Sequence, residues 1–234
     1  GVLNCVTHGA TMVFPSEAFE ARAVLEAVSE ERCTALHGVP TMFIAELEEP
    51  GFERFDLSQL RTGIMAGAPC PIEVMRKVIS EMNMTEVTIA YGMTETASTI
   101  TVLYPDDHRE AFASDDPAVR RRLTSVGRAL PGIELQVRDR DGNVLPPGQA
   151  GEVFVRGEQV SGEYVGKGSL LDEDGWFPTR DAGEVDEEGY LFLEGRADDV
   201  IVRGAENMSP GEIEDVIMRH PAVLDAGVVG VPDE

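Results

Sequence analysis

Residues 60–95 read LRTGIMAGAPCPIEVMRKVISEMNMTEVTIAYGMTE, and this stretch decides the fold. Its opening is a strand-like run that stops at a turn rich in Gly and Ala. Pro71 suits the first turn of a helix, where a missing N–H costs nothing. Met75, Val78, Ile79 and Met82 then recur at helical spacing and predict one buried face. A second apolar run, TEVTIAY, ends in another glycine-containing loop. Strand, helix, strand is the unit from which a largely parallel sheet with helices on its faces is built.

The same alternation extends upstream. Ser16 is placed to cap a helix through FEARAVLEAVSEER, with Ala21, Val24, Leu25 and Val28 on one face. TALHGVPTMFIAEL reads as a strand, a turn and a helix start. The pattern changes near residue 125. SVGRALPGIELQVRDRDGNVLPPGQAGEVFVRG alternates, with Ile133, Leu135 and Val137 on one face. Asp141-Gly142 and Pro146-Pro147-Gly148 supply turns, so a small antiparallel barrel or sheet is expected. The polar stretch before it, PDDHREAFASDDPAVRRRL, is expected to be an exposed loop with a short helix. Beyond Arg196, DDVIVRGAEN predicts a strand and turn. Ser209, Pro210 and Glu212 predict a capped helix start with Ile213, Val216 and Ile217 on one side. VLDAGVVGV is expected to follow as a buried strand. No internal repeat is visible. The expected organisation is a partial α/β domain over residues 1–125, a small β-barrel-like subdomain over 126–195, and a hinge with the start of an α+β domain over 196–234.

Composition narrows the partners. The chain of 234 residues has 42% apolar residues and a formal net charge of −24. That acidity disfavours nucleic acid, whose phosphates need Lys and Arg. No apolar run is long enough to span a bilayer. Cys5, Cys33 and Cys70 form neither a disulfide framework nor a zinc spacing, so reduced thiols and a cytoplasmic setting are the expectation. The surface leaves a homo-oligomer open. There is no initiator Met, and both ends read as cuts through a longer protein.

The chemistry-bearing residues are weak signals singly. In AYGMTETAS, residues 90–98, a strand enters a loop at the edge where α/β sheets bind ligands. Tyr91 offers a flat ring, Thr94 and Thr96 offer hydroxyls, and Glu95 offers a carboxylate suited to magnesium. A turn with ordinary polar residues accounts for the segment equally well. The turn in GIMAGAPCP would let a ligand approach the backbone closely. Asp181 could accept from two ribose hydroxyls, and Arg196 could reach ribose or phosphate with its fork of donors. Either residue alone is more often a surface ion pair.

Together these segments resemble the adenylate-forming superfamily of acyl-CoA synthetases, firefly luciferase and peptide-synthetase adenylation domains. HGVPTMF, LRTGIMAGAPCP, YGMTETAS, SVGRALPG, PPGQAGEVFVRG, DGWFPTRDAG, GYLFLEGRADDVIVRGAEN and HPAVLDAGVVGVPDE are similar to its signatures, in the same order. MAGAPCP and VRGAENMSPGEIED look most like fatty-acyl or related carboxylate CoA ligases. The resemblance implies ATP, Mg2+ and coenzyme A as cofactor and substrates, with a small carboxylic acid as the other partner. It implies that Gly67, Ala68 and Pro69 line the acyl-adenylate site, and that Tyr91, followed by Gly92 and Met93, stacks on adenine. Thr94 would contact phosphate and Glu95 would bind magnesium. Asp181 would hold the ribose and Arg196 the ribose or phosphate. His37 and Gly38 would lie by the acyl and CoA tunnel with Gly204, Ala205 and Glu206, and Asp198 would be a hinge.

Two other readings remain. One is an adenylation domain that loads an amino or aryl acid onto a carrier protein. The other is a non-catalytic adenylate-binding or scaffold protein. Two departures from the family pattern stand out. The phosphate loop with its Lys is expected upstream of residue 1 and a catalytic Lys after residue 234, so this polypeptide alone is expected to be inactive. The family usually reads Thr-Gly-Asp where this chain reads Thr179-Arg180-Asp181, which would strain Arg180 if the backbone there has positive φ.

Overall fold

The computed structural model describes residues 2–164, 166, 168–197, 201–203, 206–208, 210–218, 220, 222–223 and 226–231. The chain forms two compact units, residues 1–89 with 104–106 and residues 90–103 with 107–234.

The first unit runs α1 (Val2–His8), α2 (Ala21–Glu30), β1 (Ala35–Gly38), α3 (Pro40–Leu47), β2 (Thr62–Ala66), α4 (Ile72–Glu81) and most of β3 (Glu86–Tyr91). Strands β1 and β2 are parallel, from Ala35 opposite Thr62 to Gly38 opposite Met65. Strand β3 follows β2 in sheet order. Gly63 makes this pairing possible: a Cβ there would sit 1.8 Å from the Leu36 carbonyl oxygen. Helix α4 starts after Pro71. Of the expected face Met75, Val78 and Met82 are buried and Ile79 is half-buried, while Val74, not expected, is buried too. Helix α2 buries Val24, Leu25 and Val28 on the expected face. Ser16 does not cap it. The helix begins at Ala21 after an extended Glu20, and the Ser16 hydroxyl bonds instead to the carbonyl of Ala18.

Helix α3 packs on both α2 and α4, and it carries Glu46 inward. Glu46 is 1% exposed, and its Oε2 has no hydrogen-bond partner. Burial without a counter-charge disfavours the carboxylate and pushes its pKa up to about 8. The folded protein therefore holds this proton more tightly than the unfolded chain does. The neutral acid carries no penalty below pH 4.5, and stability is lost as pH rises from there towards 8. Removing the ionisable group should remove that slope. Urea unfolding of Glu46→Gln against the parent should give curves that are close near pH 5 and diverge by pH 8 in the variant's favour. A constant difference across that range would show that Glu46 does not titrate this way.

The second unit continues with β4 (Thr101–Leu103), α5 (Pro105–Ala113), α6 (Pro117–Arg121), β5 (Arg128–Ala129), β6 (Glu134–Arg138), β7 (Gly151–Arg156), β8 (Glu163–Tyr164), β9 (Gly168–Ser169), β10 (Phe177–Val185), β11 (Leu191–Arg196), β12 (Ile201–Arg203), β13 (Glu206–Met208) and α7 (Pro210–Met218). Its main sheet has the order β11-β10-β7-β6, with every neighbour antiparallel. Ile133 joins Ile100, Val153, Val155, Val160, Phe177 and Leu191 in one apolar cluster, Leu135 packs against it partly buried, and Val137 is also buried. Each such side chain contributes on the order of 1.5–3 kcal/mol when fully buried. The whole is α/β in class, with parallel pairing in the first unit and an antiparallel sheet in the second.

Two expectations fail here. PDDHREAFASDDPAVRRRL is not an exposed loop: it forms α5 and α6, and Asp107 and His108 are buried. Asp107 tolerates burial because it accepts from the Tyr190 hydroxyl at 2.7 Å. The expected strand in VLDAGVVGV is also absent over residues 226–231, where Val229 and Val231 are 80% and 78% exposed. Apolar residues alone do not make a strand, and no ladder partner lies beside these residues among those described. The strand expected after Arg196 does form, as β12, which pairs antiparallel with β13. The turn at 204 and 205 lies outside the described residues. Ser209, the expected cap of α7, lies outside the described residues.

One turn recurs three times in this unit. DRDGN at 139, DEDGW at 172 and DEEGY at 186 each place an Asp whose Oδ1 accepts from the amides two and four residues on, at 2.8–3.0 Å. The glycine of each has positive φ, at 83°, 81° and 86°. The Asp supplies the acceptor and the Gly supplies the left-handed residue that closes a hairpin with a bulge. Asp186→Ala should therefore lower stability by about 1–2 kcal/mol, while Asp186→Asn, which keeps an acceptor, should lose much less. Denaturant midpoints of the two variants test this.

Candidate functional site

In the second unit, β10 is paired on both sides, with β7 and with β11. Its register against β7 slips between Pro178, opposite Phe154, and Ala182, opposite Glu152. The extra residues form a bulge, and Arg180 sits in it with φ +61°. The bulge is fixed from several directions. The Thr179 hydroxyl donates to the Val153 carbonyl at 2.8 Å and accepts from the Asp181 amide at 3.1 Å. The Arg180 carbonyl accepts from the Ala197 amide at 2.9 Å.

The consequence is the placement of Asp181. Its carboxylate, 9% exposed as a residue, takes the Tyr91 hydroxyl on Oδ2 at 2.5 Å and Arg196 Nη1 on Oδ1 at 2.9 Å. Arg196 also reaches the Thr179 carbonyl at 3.4 Å. Its side chain stays 53% exposed, so one end of the guanidinium faces solvent while the other is anchored. Burial, then the hydrogen bond to the Asp181 carboxylate and its charge, raise the pKa of the Tyr91 phenol. The phenol therefore remains a donor across the physiological range.

Tyr91 leads directly into the loop that carries Thr94 and Glu95. Gly92 has a packing reason: a Cβ there would lie 2.2 Å from the Ser98 carbonyl oxygen. Met93 packs against the apolar cluster. Thr94–Thr96 form a single 3₁₀ turn, and Thr96 is fully buried, accepting from the Met93 amide at 3.2 Å and donating to the Met93 carbonyl at 2.9 Å. Ala97 and Ser98 then take positive φ values of 52° and 81°. Gln159, which the sequence did not single out, holds this backbone. Its Nε2 donates to the carbonyls of Thr96 at 2.9 Å and Thr99 at 2.5 Å. The Ser161 amide donates to the Glu95 carbonyl at 2.8 Å. Thr94 is exposed and Glu95 half-buried.

The remaining candidates lie elsewhere or outside the described residues. In the first unit, Gly67 follows β2 with φ +89°, and Ala68 and Pro69 are exposed beside it. Gly38 ends β1, where a Cβ would meet the Phe43 ring at 3.1 Å. His37 on β1 lines an open pocket with Asn4, His8, Thr62 and Ile64, and partial desolvation lowers the imidazole pKa. Glu206 pairs with Arg203 between β12 and β13. Asp198, Gly204 and Ala205 lie outside the described residues. Among the described residues no group of three His, Cys, Asp or Glu side chains could hold a metal ion, and no helix is long and apolar enough to cross a membrane.

The comparisons identify this fold as that of the adenylate-forming enzymes. The AMP-binding enzyme family matches residues 1–165. The acyl-CoA ligase SidI of Aspergillus fumigatus is 44% identical over all of this chain and 39% of its own length. The amide bond synthetase McbA of Marinactinospora thermotolerans is similar at a TM-score of 0.78 and 37% identity, over 93% of this chain and 43% of that one. The o-succinylbenzoate CoA synthetase of Bacillus subtilis, solved with its acyl-adenylate, gives a TM-score of 0.80 at 32% identity, over 100% of this chain and 45% of that one. The chain belongs to the AMP-binding enzyme family and spans about two fifths of the length of the curated relative it matches.

Gln159 generates a direct test. Gln159→Glu keeps the shape but cannot donate. It should cost about 1–2 kcal/mol and speed hydrogen exchange at the Ser98 and Ile100 amides. Unchanged exchange there would show that the loop does not depend on this side chain.

Proposed function

We propose that this chain is part of an ATP-dependent acid–thiol ligase that activates a carboxylic acid, most readily a fatty or related acid, as an acyl-adenylate and passes it to coenzyme A. The observation that carries this reading is the Tyr91–Asp181–Arg196 cluster, within a chain of the AMP-binding family. A ligand with vicinal hydroxyls and a phosphate suits a buried carboxylate beside a half-exposed guanidinium.

A carboxylate is a poor acyl donor because its leaving group would be oxide. In the first half-reaction a carboxylate oxygen attacks the α-phosphorus of ATP, the bond to pyrophosphate breaks, and a mixed anhydride forms. In the second, the thiol sulfur attacks the acyl carbon, the bond to AMP breaks, and the thiol proton is lost. Asp181 would hold the ribose hydroxyls, and Tyr91 would both orient Asp181 and present its ring to adenine. Arg196 would balance the phosphate charge, and Thr94 would donate to a phosphate oxygen. Glu95 would hold magnesium. A lone carboxylate suits this ion, which keeps water and nucleotide oxygens as its other ligands, and it would offset the phosphate charge. The turn at Gly67, Ala68 and Pro69 and the residues His37, Gly38, Gly204, Ala205 and Glu206 are proposed to serve the acyl and CoA portions, with Asp198 as a hinge.

Similarity to an enzyme named for amide bond synthesis favours one second reading, in which the adenylate passes to an acceptor other than CoA. Both readings share the first half-reaction. ATP–pyrophosphate exchange by the intact gene product, over a panel of fatty, aryl and amino acids, should be stimulated by the matching acid. Asp181→Ala should reduce it at least a hundredfold. Supplying CoA, an amine or a carrier protein then identifies the acceptor. If no acid stimulates exchange, the ligase reading fails.

A further inference from the structure

Arg180 presents an unexplained cost. It holds φ +61°, a left-handed conformation that an L side chain occupies at roughly 1–2 kcal/mol. Glycine would adopt it freely, and Asn with less strain. Six other arginines of this unit, 121, 122, 128, 138, 156 and 196, are ion-paired. The Arg180 side chain is exposed and makes no hydrogen bond, ion pair or ring contact among the described residues. The bulge serves the placement of Asp181, but the Arg180 side chain itself makes no contact among the described residues that offsets the strain, in a chain whose net charge of −24 offers many carboxylates. A strained residue whose side chain has no partner among the described residues, next in sequence to a candidate binding residue, points to a ligand.

We propose that Arg180 is a phosphate-binding residue that adds a second guanidinium beside the Asp181 carboxylate. The bulge explains its placement. Thr179 and Asp181 are fixed by the bonds described above, so the residue between them carries its side chain from a backbone pinned on both sides. Arg196 is tethered to Asp181 at 2.9 Å and to the Thr179 carbonyl, whereas Arg180 keeps all five of its donors free for an anion. The phosphate could belong to the nucleotide or to CoA. Because the proposal rests on the nucleotide reading of this site, its test must separate the two.

The test is calorimetric binding to the intact gene product and to Arg180→Asn and Arg180→Lys. Asn tolerates the left-handed backbone and removes the charge, while Lys retains the charge. Each protein is titrated with AMP and adenosine, and with CoA and dephospho-CoA. Arg180→Asn should weaken AMP about five- to tenfold while leaving adenosine unchanged, and Arg180→Lys should recover part of the loss. The same pattern for CoA but not dephospho-CoA would support the proposal with CoA as the phosphate source. Equal affinities of parent and Arg180→Asn for every ligand would overturn it and leave the nucleotide reading intact. A parent that binds neither AMP nor adenosine would overturn the nucleotide reading as well. Thermal midpoints of the same proteins show whether they are equally folded.

Discussion

A single hydrogen bond, from the Tyr91 hydroxyl to Asp181 Oδ2 at 2.5 Å, joins segments 90 residues apart in sequence. Much of the second unit serves to make that bond possible. Tyr91 must sit where β3 releases into a loop, and Asp181 must turn inward from the middle of a long strand. In a regular strand residues alternate faces, so Thr179 and Asp181 would share a face and Arg180 and Ala182 the other. Here the register against β7 slips between Pro178 and Ala182, so the alternation is interrupted just before Asp181. The bulge at Arg180 carries that interruption, and Tyr91 packs against the apolar cluster.

The segments that were legible in sequence are those where local pattern and final structure agree. The β2–α4–β3 stretch carries its own turn residues and helical period, so it needs no distant information. The alternation at Ile133 and Val137 works for the same reason. Gly63 and Gly92 could be noted as small, but not explained, because the carbonyls of Leu36 and Ser98 that forbid a side chain come from other strands and loops. The stretch from Pro105 looked like a solvated loop because Asp107 and His108 are polar. Asp107 is satisfied by the Tyr190 hydroxyl, 83 residues away, which no local window contains. The expected strand after α7 failed from the opposite cause: its apolar pattern was right for a strand, and its pairing was not supplied.

Gln159 and the threefold turn show two kinds of missed signal. The turn was readable. Three instances of Asp, then an acidic residue, then Gly at fixed offsets mark three tight turns of the second unit, of which the one at 186 joins β10 to β11. Gln159 was not readable, since an isolated glutamine between Glu158 and Val160 resembles surface. Its value comes from satisfying the carbonyls on both sides of Ala97 and Ser98, residues whose positive φ aims those carbonyls away from any ladder. Positions of this kind emerge only when the backbone path is known.

The state of Asp181 bears on how the proposed site would receive a nucleotide. An ionised carboxylate has about four acceptor positions. Tyr91 and Arg196 take one on each oxygen, which leaves one on each oxygen for a pair of vicinal hydroxyls. Ribose therefore need not displace either partner. The two donors already present hold the carboxylate in one rotamer, so its ordering cost is met by folding rather than by binding. Arg196 fits the same logic from the other direction: its Nη1 is committed to Asp181, yet much of its surface remains in water and can meet a phosphate. A carboxylate held between a phenol and a guanidinium is thus a preorganised acceptor pair.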